Sequence, residues 1–454
     1  MTRQEPLYVG CGAGFSGDRV DAAVAVVAEL AQRGGPSCLI FETLAERTLA
    51  LAQLQRQTNP EGGYEPLLEA FLRPVLATCL ANKIRIVGNF GAANPTGAAR
   101  CIQRLAHSLG LAPPRIAVIH GDDVSAPEWR ARLDEATAGA LHDKTVISAN
   151  VYIGATGIAQ ALQDGADIVV AGRVADPSLV LGPAIAHFGW DMEDWDRLAS
   201  ATMAGHLLEC GAQVTGGYYA DPGIKDVPGL AQLGYPIAIL LADGSFQVTK
   251  PRNTGGLIDI HTVTEQLLYE LHDPCAYLTP DVVADITHVS LEQVADDVVR
   301  VSGVKGHPRP EQLKANICFA SGWLAEAEIS YAGVRAEARA RLAAAIVRER
   351  MGHDTVLRCD LIGVSSILAD DRGHWLASLP AGEAQDVRLR LSLRTEDRAL
   401  ANRLLQEVTA LYTCGPAGGG GVRTHMRPTL GTISALLPRT HIQTRYVWLE
   451  NADA

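Results

Sequence analysis

Apolar and polar positions alternate in two different periods along the first half of the chain. Short apolar runs, too brief for helices, occur at Leu7–Gly10, Cys38–Phe41, Ile84–Val87, Ile116–Ile119, Val146–Ala149 and Ile168–Ala171. Continuous runs of this length read as strands buried on both faces. Between them apolar residues recur at helical spacing: Val20, Val24, Val27, Leu30 and Ala31 share one face of a helix expected from about Asp18 to Arg33, which Gly34-Gly35-Pro36 ends. Further helical stretches end near Asn82 and Leu109. Nearly every strand runs out into polar residues: Glu42, Asn89, His120-Gly-Asp122-Asp123, Asn150 and Arg173. This alternation predicts an α/β fold, an open and mostly parallel Rossmann-like sheet with helices on both faces. A closed eightfold barrel is the rival, but no clean seventh and eighth unit follows Asp176.

Beyond Gly217 the texture changes. Residues 218–234 are loop-rich, and a helix is expected over Thr262–His272. The segment 281–331 alternates as antiparallel strands do, and 333–351 reads as a long Ala/Arg-rich helix. Val387–Leu393 alternates Arg and Leu in a half-buried strand pattern, a helix follows over Asp397–Tyr412, and Ile442–Leu449 closes as a strand. The expected division is a Rossmann-like domain over 1–235, a middle α+β region over 236–352, and an α+β terminal domain over 353–454 that carries the glycine run 418–421.

Composition narrows the classes. The 454 residues are 47% apolar and 20% charged, as expected of a folded globular protein. A net charge of −12 argues against a nucleic-acid or anionic-membrane surface but leaves room for a local basic pocket. No signal-like apolar core opens the chain, and no run of about 18 apolar residues occurs, so a cytoplasmic protein without a membrane segment is expected. Nine cysteines without a Cys-x-x-Cys pair fit reduced thiols and exclude a zinc ribbon.

The chemically useful side chains are densest between Gly165 and Gly217. Arg173 and Asp176 stand at a strand end, where open α/β sheets bind ligands. Arg173 can clamp a carboxylate or phosphate with Asp176 holding it, or the two can be a structural ion pair. His206 and Glu209 fall on one face of a helix, placed either for acid–base work or for tying the helix to the sheet. Cys210 beside them is the minor candidate for a nucleophile. Together with His120, Asp122 and Asp123 the His206–Glu209 pair also raises a metal, but no second half of a di-metal motif is present and none is assigned. Asn89, Asn94 and Asn150 can orient a carbonyl or hydroxyl, or can serve as turn and cap residues. Gly216 and Gly217 allow close backbone approach. Gly12-x-Gly14-x-x-Gly17, with Glu42 ending the next strand, matches a dinucleotide fingerprint. However, Asp18 would already occupy the anion position at the helix start, and a tight turn is the competing reading.

Six segments in order carry a likeness to a known family: Gly14-Phe-Ser-Gly-Asp-Arg19, Gly91-Ala-Ala-Asn-Pro95, Gly172-Arg-Val-Ala-Asp176, the stretch Gly205–Gly217, Thr254-Gly-Gly256 and Glu265-Gln-Leu-Leu-Tyr-Glu270. From about Leu7 to Glu450 the chain resembles the acyclic terpene utilisation (AtuA) family. The resemblance implies a part in bacterial breakdown of citronellol- and geraniol-type compounds through coenzyme A thioesters. Some relatives append a small ferredoxin-like domain after this core; what it contributes would here be either missing or supplied by a separate small ferredoxin-like partner protein.

The leading expectation is an enzyme of branched aliphatic carboxylate or acyl-CoA catabolism, of lyase or hydratase type. Arg173 would hold the substrate anion, with Asp176 behind it. His206 or Glu209 would move the proton, Asn89, Asn94 and Asn150 would orient the substrate, and Asp18 and Arg19 would shape the mouth of the pocket. No obligatory cofactor is expected, with coenzyme A entering only as part of the substrate. The alternatives are an NAD(P)-dependent oxidoreductase using Gly12, Gly14 and Gly17, or a non-catalytic acyl-binding subunit of a partner enzyme. A homo-oligomer is the default expectation.

Overall fold

A computed structural model describes residues 5–450 of the chain. The residues fall into two compact units, one comprising Met1–Cys318 with Thr432–Ala454 and the other Phe319–Gly431. Breaks at 235 and 352 do not coincide with these units. The physical reason is strand pairing: residues 237–302 extend the sheet of the first unit, and the last strand returns to it.

The first unit contributes β1 (Leu7–Ala13), β2 (Ser37–Phe41), β3 (Arg85–Gly88), β4 (Ile116–His120), β5 (Val146–Val151) and β6 (Ile168–Val170). It continues with β7 (Ile237–Leu240), β8 (Phe246–Thr249), β9 (Tyr277–Leu278), β10 (Val283–Asp285), β11 (Ser290–Ala295), β12 (Val298–Ser302) and β13 (Lys305–His307). The chain leaves this unit in β14 (Gln312–Ala332), passes through β15 (Arg358–Ile362) and β16 (Asp386–Thr395), returns in β17 (Gly420–Pro438) and ends in β18 (Arg445–Trp448).

The main sheet has ten strands in the order β11-β12-β8-β7-β1-β2-β3-β6-β4-β18. Its centre, β1-β2-β3-β6-β4, is parallel, and these are the apolar runs that the periodicity predicts. Both flanks are antiparallel: β7 pairs with β1, β8 with β7, β12 with β8, β11 with β12, and β18 with β4. The expectation of an open, mostly parallel Rossmann-like sheet therefore needs correction to a mixed α/β sheet with a parallel core. Asp243-Gly244 closes the β7–β8 hairpin, with Gly244 at φ +93°, a turn conformation that glycine adopts without strain. A second correction concerns β5. It lies outside the ten-stranded sheet and pairs with the start of β14, Tyr152 N–H donating to Lys314 O at 2.9 Å.

In the second unit β15, β16, β14 and β17 follow one another in a sheet. The Arg/Leu alternation of β16 has a direct outcome. Val387, Leu389, Leu391 and Leu393 are buried in a core with Ala340, Ala343, Val347, Leu404 and Val408 from the helices Ala336–Met351 and Arg398–Cys414. The intervening arginines pair on the other face: Arg388 with Glu328 at 3.0 Å and Arg390 with the fully buried Asp360 at 2.6 Å. The glycine run 418–421 passes into β17, and a Cβ at Gly419 would press on the side chains of Ile329 and Tyr331.

Candidate functional site

The helix Trp195–Glu209 is buried over most of its length, and its last turn delivers His206 and Glu209 to the interior. Gly205 permits this depth, since a Cβ there would lie 2.6 Å from the backbone of Pro177. His206 Nδ1 and Glu209 Oε1 share a hydrogen bond at 3.0 Å. Among the described residues His206 Nε2 and Glu209 Oε2 are buried with no well-formed hydrogen bond, although backbone of Gln266 and Leu267 lies close enough to His206 to act on it. Buried polar atoms are rarely left so, and the two adjacent ones here belong to groups able to move protons. Burial works to lower the His206 pKa, but the hydrogen bond and charge of Glu209, joined by backbone of Gln266 and Leu267, outweigh it and raise it overall. Burial, against the help of His206, pushes the Glu209 carboxyl up to about 7. The two groups are thus poised to share a proton near neutrality. The ring of Tyr277, in β9, packs on His206 with centroids 5.2 Å apart.

The polar ends of the parallel strands meet close by. Glu42, after β2, accepts from Asn89 Nδ2 and from Leu44 N–H, both at 2.8 Å, while Asn89, after β3, accepts from Thr43 N–H at 2.8 Å. Burial, then the negative charge of Asp176, raise the Glu42 carboxyl to about 8. Arg173, after β6, is 1% exposed. Its guanidinium donates to Leu44 O, Val174 O and Asp176 Oδ1, and stacks on the Tyr152 ring at 4.4 Å. Its own N–H donates to Asp122 Oδ2 at 2.8 Å. With these donors engaged inside the protein, Arg173 is built to hold loops and Asp176 in place and offers little to a ligand.

Asp176 has a different setting. Its side chain is 33% exposed and forms part of the wall of a cleft of about 1620 Å³. Partial burial raises its pKa, Arg173 opposes this, and the charges of Glu46 and Glu270 add to the rise. Tyr152, Tyr277, Lys314 and Arg439 line the same cleft among apolar residues such as Ala175, Leu278, Leu313 and Leu436. Tyr152 OH donates to Glu46, which Lys314 Nζ also approaches at 3.2 Å. Against burial, these bonds hold Glu46 down at about 2.

The other expected residues lie elsewhere. Asn94 and Asn150 line a separate hollow of about 280 Å³ with His120, Asp122 and Asp123. There Asn94 caps the helix Pro95–Ser108 through Gly97 N–H and holds Pro60 O and Gly62 O, while Asn150 donates to Asp122 at 3.0 Å. Asn89 is fully buried against Glu42. The three asparagines are therefore not brought together around one ligand. Asp18 accepts from Gly14 N–H, Arg19 N–H and Tyr235 OH, and Arg19 pairs with Asp21 and reaches Leu233 O. Neither is in the lining of the two clefts.

The glycines of the fingerprint serve internal contacts. A Cβ on Gly12 would strike the Phe41 ring at 2.6 Å, one on Gly14 would lie 2.3 Å from Gly211 N, and Gly17 turns at φ +94°. The following helix starts only at Ala22. Gly216 turns at φ +101° beside Val227, and Gly217 abuts Ala212 O. The Cys210 thiol is raised, mainly by burial and then by Glu209, which makes it a poor nucleophile. Among the described residues no group of three or more His, Cys, Asp or Glu side chains is arranged to hold a metal ion. Tyr152, Tyr277, Lys314 and Arg439 escaped the sequence reading. Only Tyr152 carried a signal, as the polar residue that follows an apolar strand.

The described residues thus present a mixed α/β fold, a buried histidine–carboxylate pair and a cleft that takes in the segment after β6. The chain belongs to the acyclic terpene utilisation protein family AtuA, whose profile it matches over residues 7–448. Membership places it in acyclic terpene utilisation. No curated protein and no solved structure matched the chain. No helix among the described residues is long and apolar enough to cross a membrane.

Proposed function

We propose that the chain is an enzyme of lyase or hydratase type acting on a branched aliphatic carboxylate or its coenzyme A thioester. The observation that carries the reading is the buried His206–Glu209 pair, with its two outer atoms lacking a well-formed hydrogen bond, beside a cleft whose wall holds Asp176 and Tyr277. Asp176 stands in electrostatic range of Glu209 and has access to the cleft. In this account Asp176 exchanges a proton with a carbon or hydroxyl next to the substrate carbonyl. The His206–Glu209 pair behind it takes up or returns that proton, because its own proton affinity lies near neutrality. Apolar residues of the cleft would hold the branched chain, and Arg173 acts as a positioning residue for Asp176 rather than as the substrate clamp.

A thermal-shift series tests the binding part. Branched carboxylates and their coenzyme A thioesters should raise Tm, because a ligand selective for the native state stabilises it. The shift should persist in Asp176→Asn, which keeps the shape of the wall. Stabilisation by nicotinamide cofactors alone, with none by carboxylates or thioesters, would overturn the proposal.

A further inference from the structure

The cleft contains an arginine without a carboxylate partner. Arg439 follows β17 and lines the cleft. Its Nε donates to Pro310 O at 3.0 Å, Nη2 donates to Pro280 O, and its backbone N–H donates to Glu311 O at 2.9 Å. These bonds fix the plane of the guanidinium, and Nη1 has no hydrogen-bond partner among the described residues. Among the described residues Arg439 makes no ion pair, and neither does Arg309, one residue before the cleft-lining Pro310. Asp281 is in electrostatic range, but its carboxylate is engaged by Ala155 N–H at 3.0 Å and Ser178 Oγ at 2.8 Å. Burial, and then the like charge of Arg309, lower the Arg439 pKa. Asp281 offsets part of the repulsion between the two cations from a distance, but no carboxylate pairs directly with either among the described residues, and an anion at their edge would relieve the rest. Glu311 also lines the cleft and is exposed, and its charge opposes an anion there.

We infer that Arg439 and Arg309 form an anion subsite of the cleft, which receives the carboxylate or phosphate group of the substrate. The inference rests on the cleft being the substrate site, and it gives the substrate's anionic group a receptor other than Arg173. A planar guanidinium with a free edge suits a carboxylate or phosphate oxygen, and the carbonyls of Pro280 and Pro310 hold that edge ready. Lys314 in the same cleft is already paired with Glu46, so it contributes charge but no free partner.

Isothermal titration at low salt with pyrophosphate and with dimethylacrylate tests the subsite. Binding of either probe, weakened about tenfold or more in both Arg439→Gln and Arg309→Gln, is the expected result. Preference for pyrophosphate would identify a phosphate-bearing carrier as the source of the anion, and preference for dimethylacrylate the substrate's own carboxylate. Glu311→Gln should tighten binding. Arg439→Gln removes bonds to two loops and can disturb them, whereas Arg309 is exposed and its replacement leaves the fold alone. The titration reads anion binding without turnover, so its outcome does not depend on whether His206 and Glu209 move protons. Failure of both anions to bind, or unchanged affinity in Arg309→Gln and Arg439→Gln, would overturn the inference.

Discussion

His206 and Glu209 meet at 3.0 Å on the last turn of one helix, and the far atom of each, Nε2 and Oε2, is buried without a well-formed hydrogen bond among the described residues. A buried pair of this kind is poor value for stability, because desolvation offsets most of the attraction. Replacing both residues with apolar side chains of similar volume, His206→Phe with Glu209→Met, should therefore leave Tm near that of the parent or above it. Glu209→Met alone strands His206 and should cost about 3–5 kcal/mol in a denaturant titration. Equal destabilisation by the single and double changes would mean that the pair is kept for the fold.

Arg173 is a second case in which structure and chemistry can be separated. Its guanidinium ties Leu44 O, Val174 O and Asp176 together in a fully buried setting. Arg173→Met should lower stability by about 3–5 kcal/mol, since it leaves carbonyls and a carboxylate unpaired. Arg173→Lys should recover little of the loss because an ammonium cannot span the same acceptors. A substrate clamp would behave otherwise, with weakened ligand binding and unchanged unfolding.

Stability should fall as pH rises through neutrality. The folded-state values of Glu42, Glu209 and Asp122 are raised to about 8, about 7 and about 6. For each, the native state holds a proton that the unfolded chain has already released above its ordinary value. The stabilisation is complete below the ordinary carboxylate range and is lost as pH climbs through the raised values. Glu46, held at about 2, acts in the opposite sense and only in acid, between that value and its ordinary one. Tm should thus be higher at mildly acidic than at alkaline pH, and Glu42→Gln should flatten the decline in its upper part. A Tm that rises from mildly acidic to alkaline pH would contradict the assignment of these buried acids.

Gly14 lies so close to the end of the Trp195–Glu209 helix that a methyl group would sit 2.3 Å from Gly211 N and 2.5 Å from Cys210 C. Both contacts are backbone, which yields less readily than a side chain. Gly14→Ala should destabilise by about 1–3 kcal/mol, to the same extent with and without NAD(H). A loss seen only in the presence of the cofactor would revive the dinucleotide reading of this glycine.

Much of the parallel core could be read from the chain because its strands are short, wholly apolar and closed by polar residues. The antiparallel flanks were harder. Asp243-Gly244 between Leu240 and Phe246 is a hairpin turn that was available to a sequence reading, yet nothing local says that β7 joins β1 rather than starting a new domain. For the same reason β5 looked like one more central strand. Its pairing with the start of β14 depends on a partner far along the chain. Asp176, His206 and Glu209 drew notice in the sequence because Asp176 lies in the loop after β6 and the other two in the last turn of a helix. Tyr277, Lys314 and Arg439 were not, since they come from short strands and turns whose positions are set only by tertiary packing. Asn94 misled for a physical reason: an asparagine before Pro95 at a helix start is as good a cap as a ligand contact, and the cap won.

The central claim, acid–base chemistry at Asp176 backed by His206 and Glu209, is tested most directly by solvent exchange. Dimethylacrylate and its coenzyme A thioester, incubated with the protein in deuterium oxide, would be followed by proton NMR at the carbons next to and beyond the carbonyl. The account predicts deuterium incorporation that is lowered on the order of a hundredfold or more in Asp176→Asn and in Glu209→Gln. Exchange at the parental rate in both variants would contradict it.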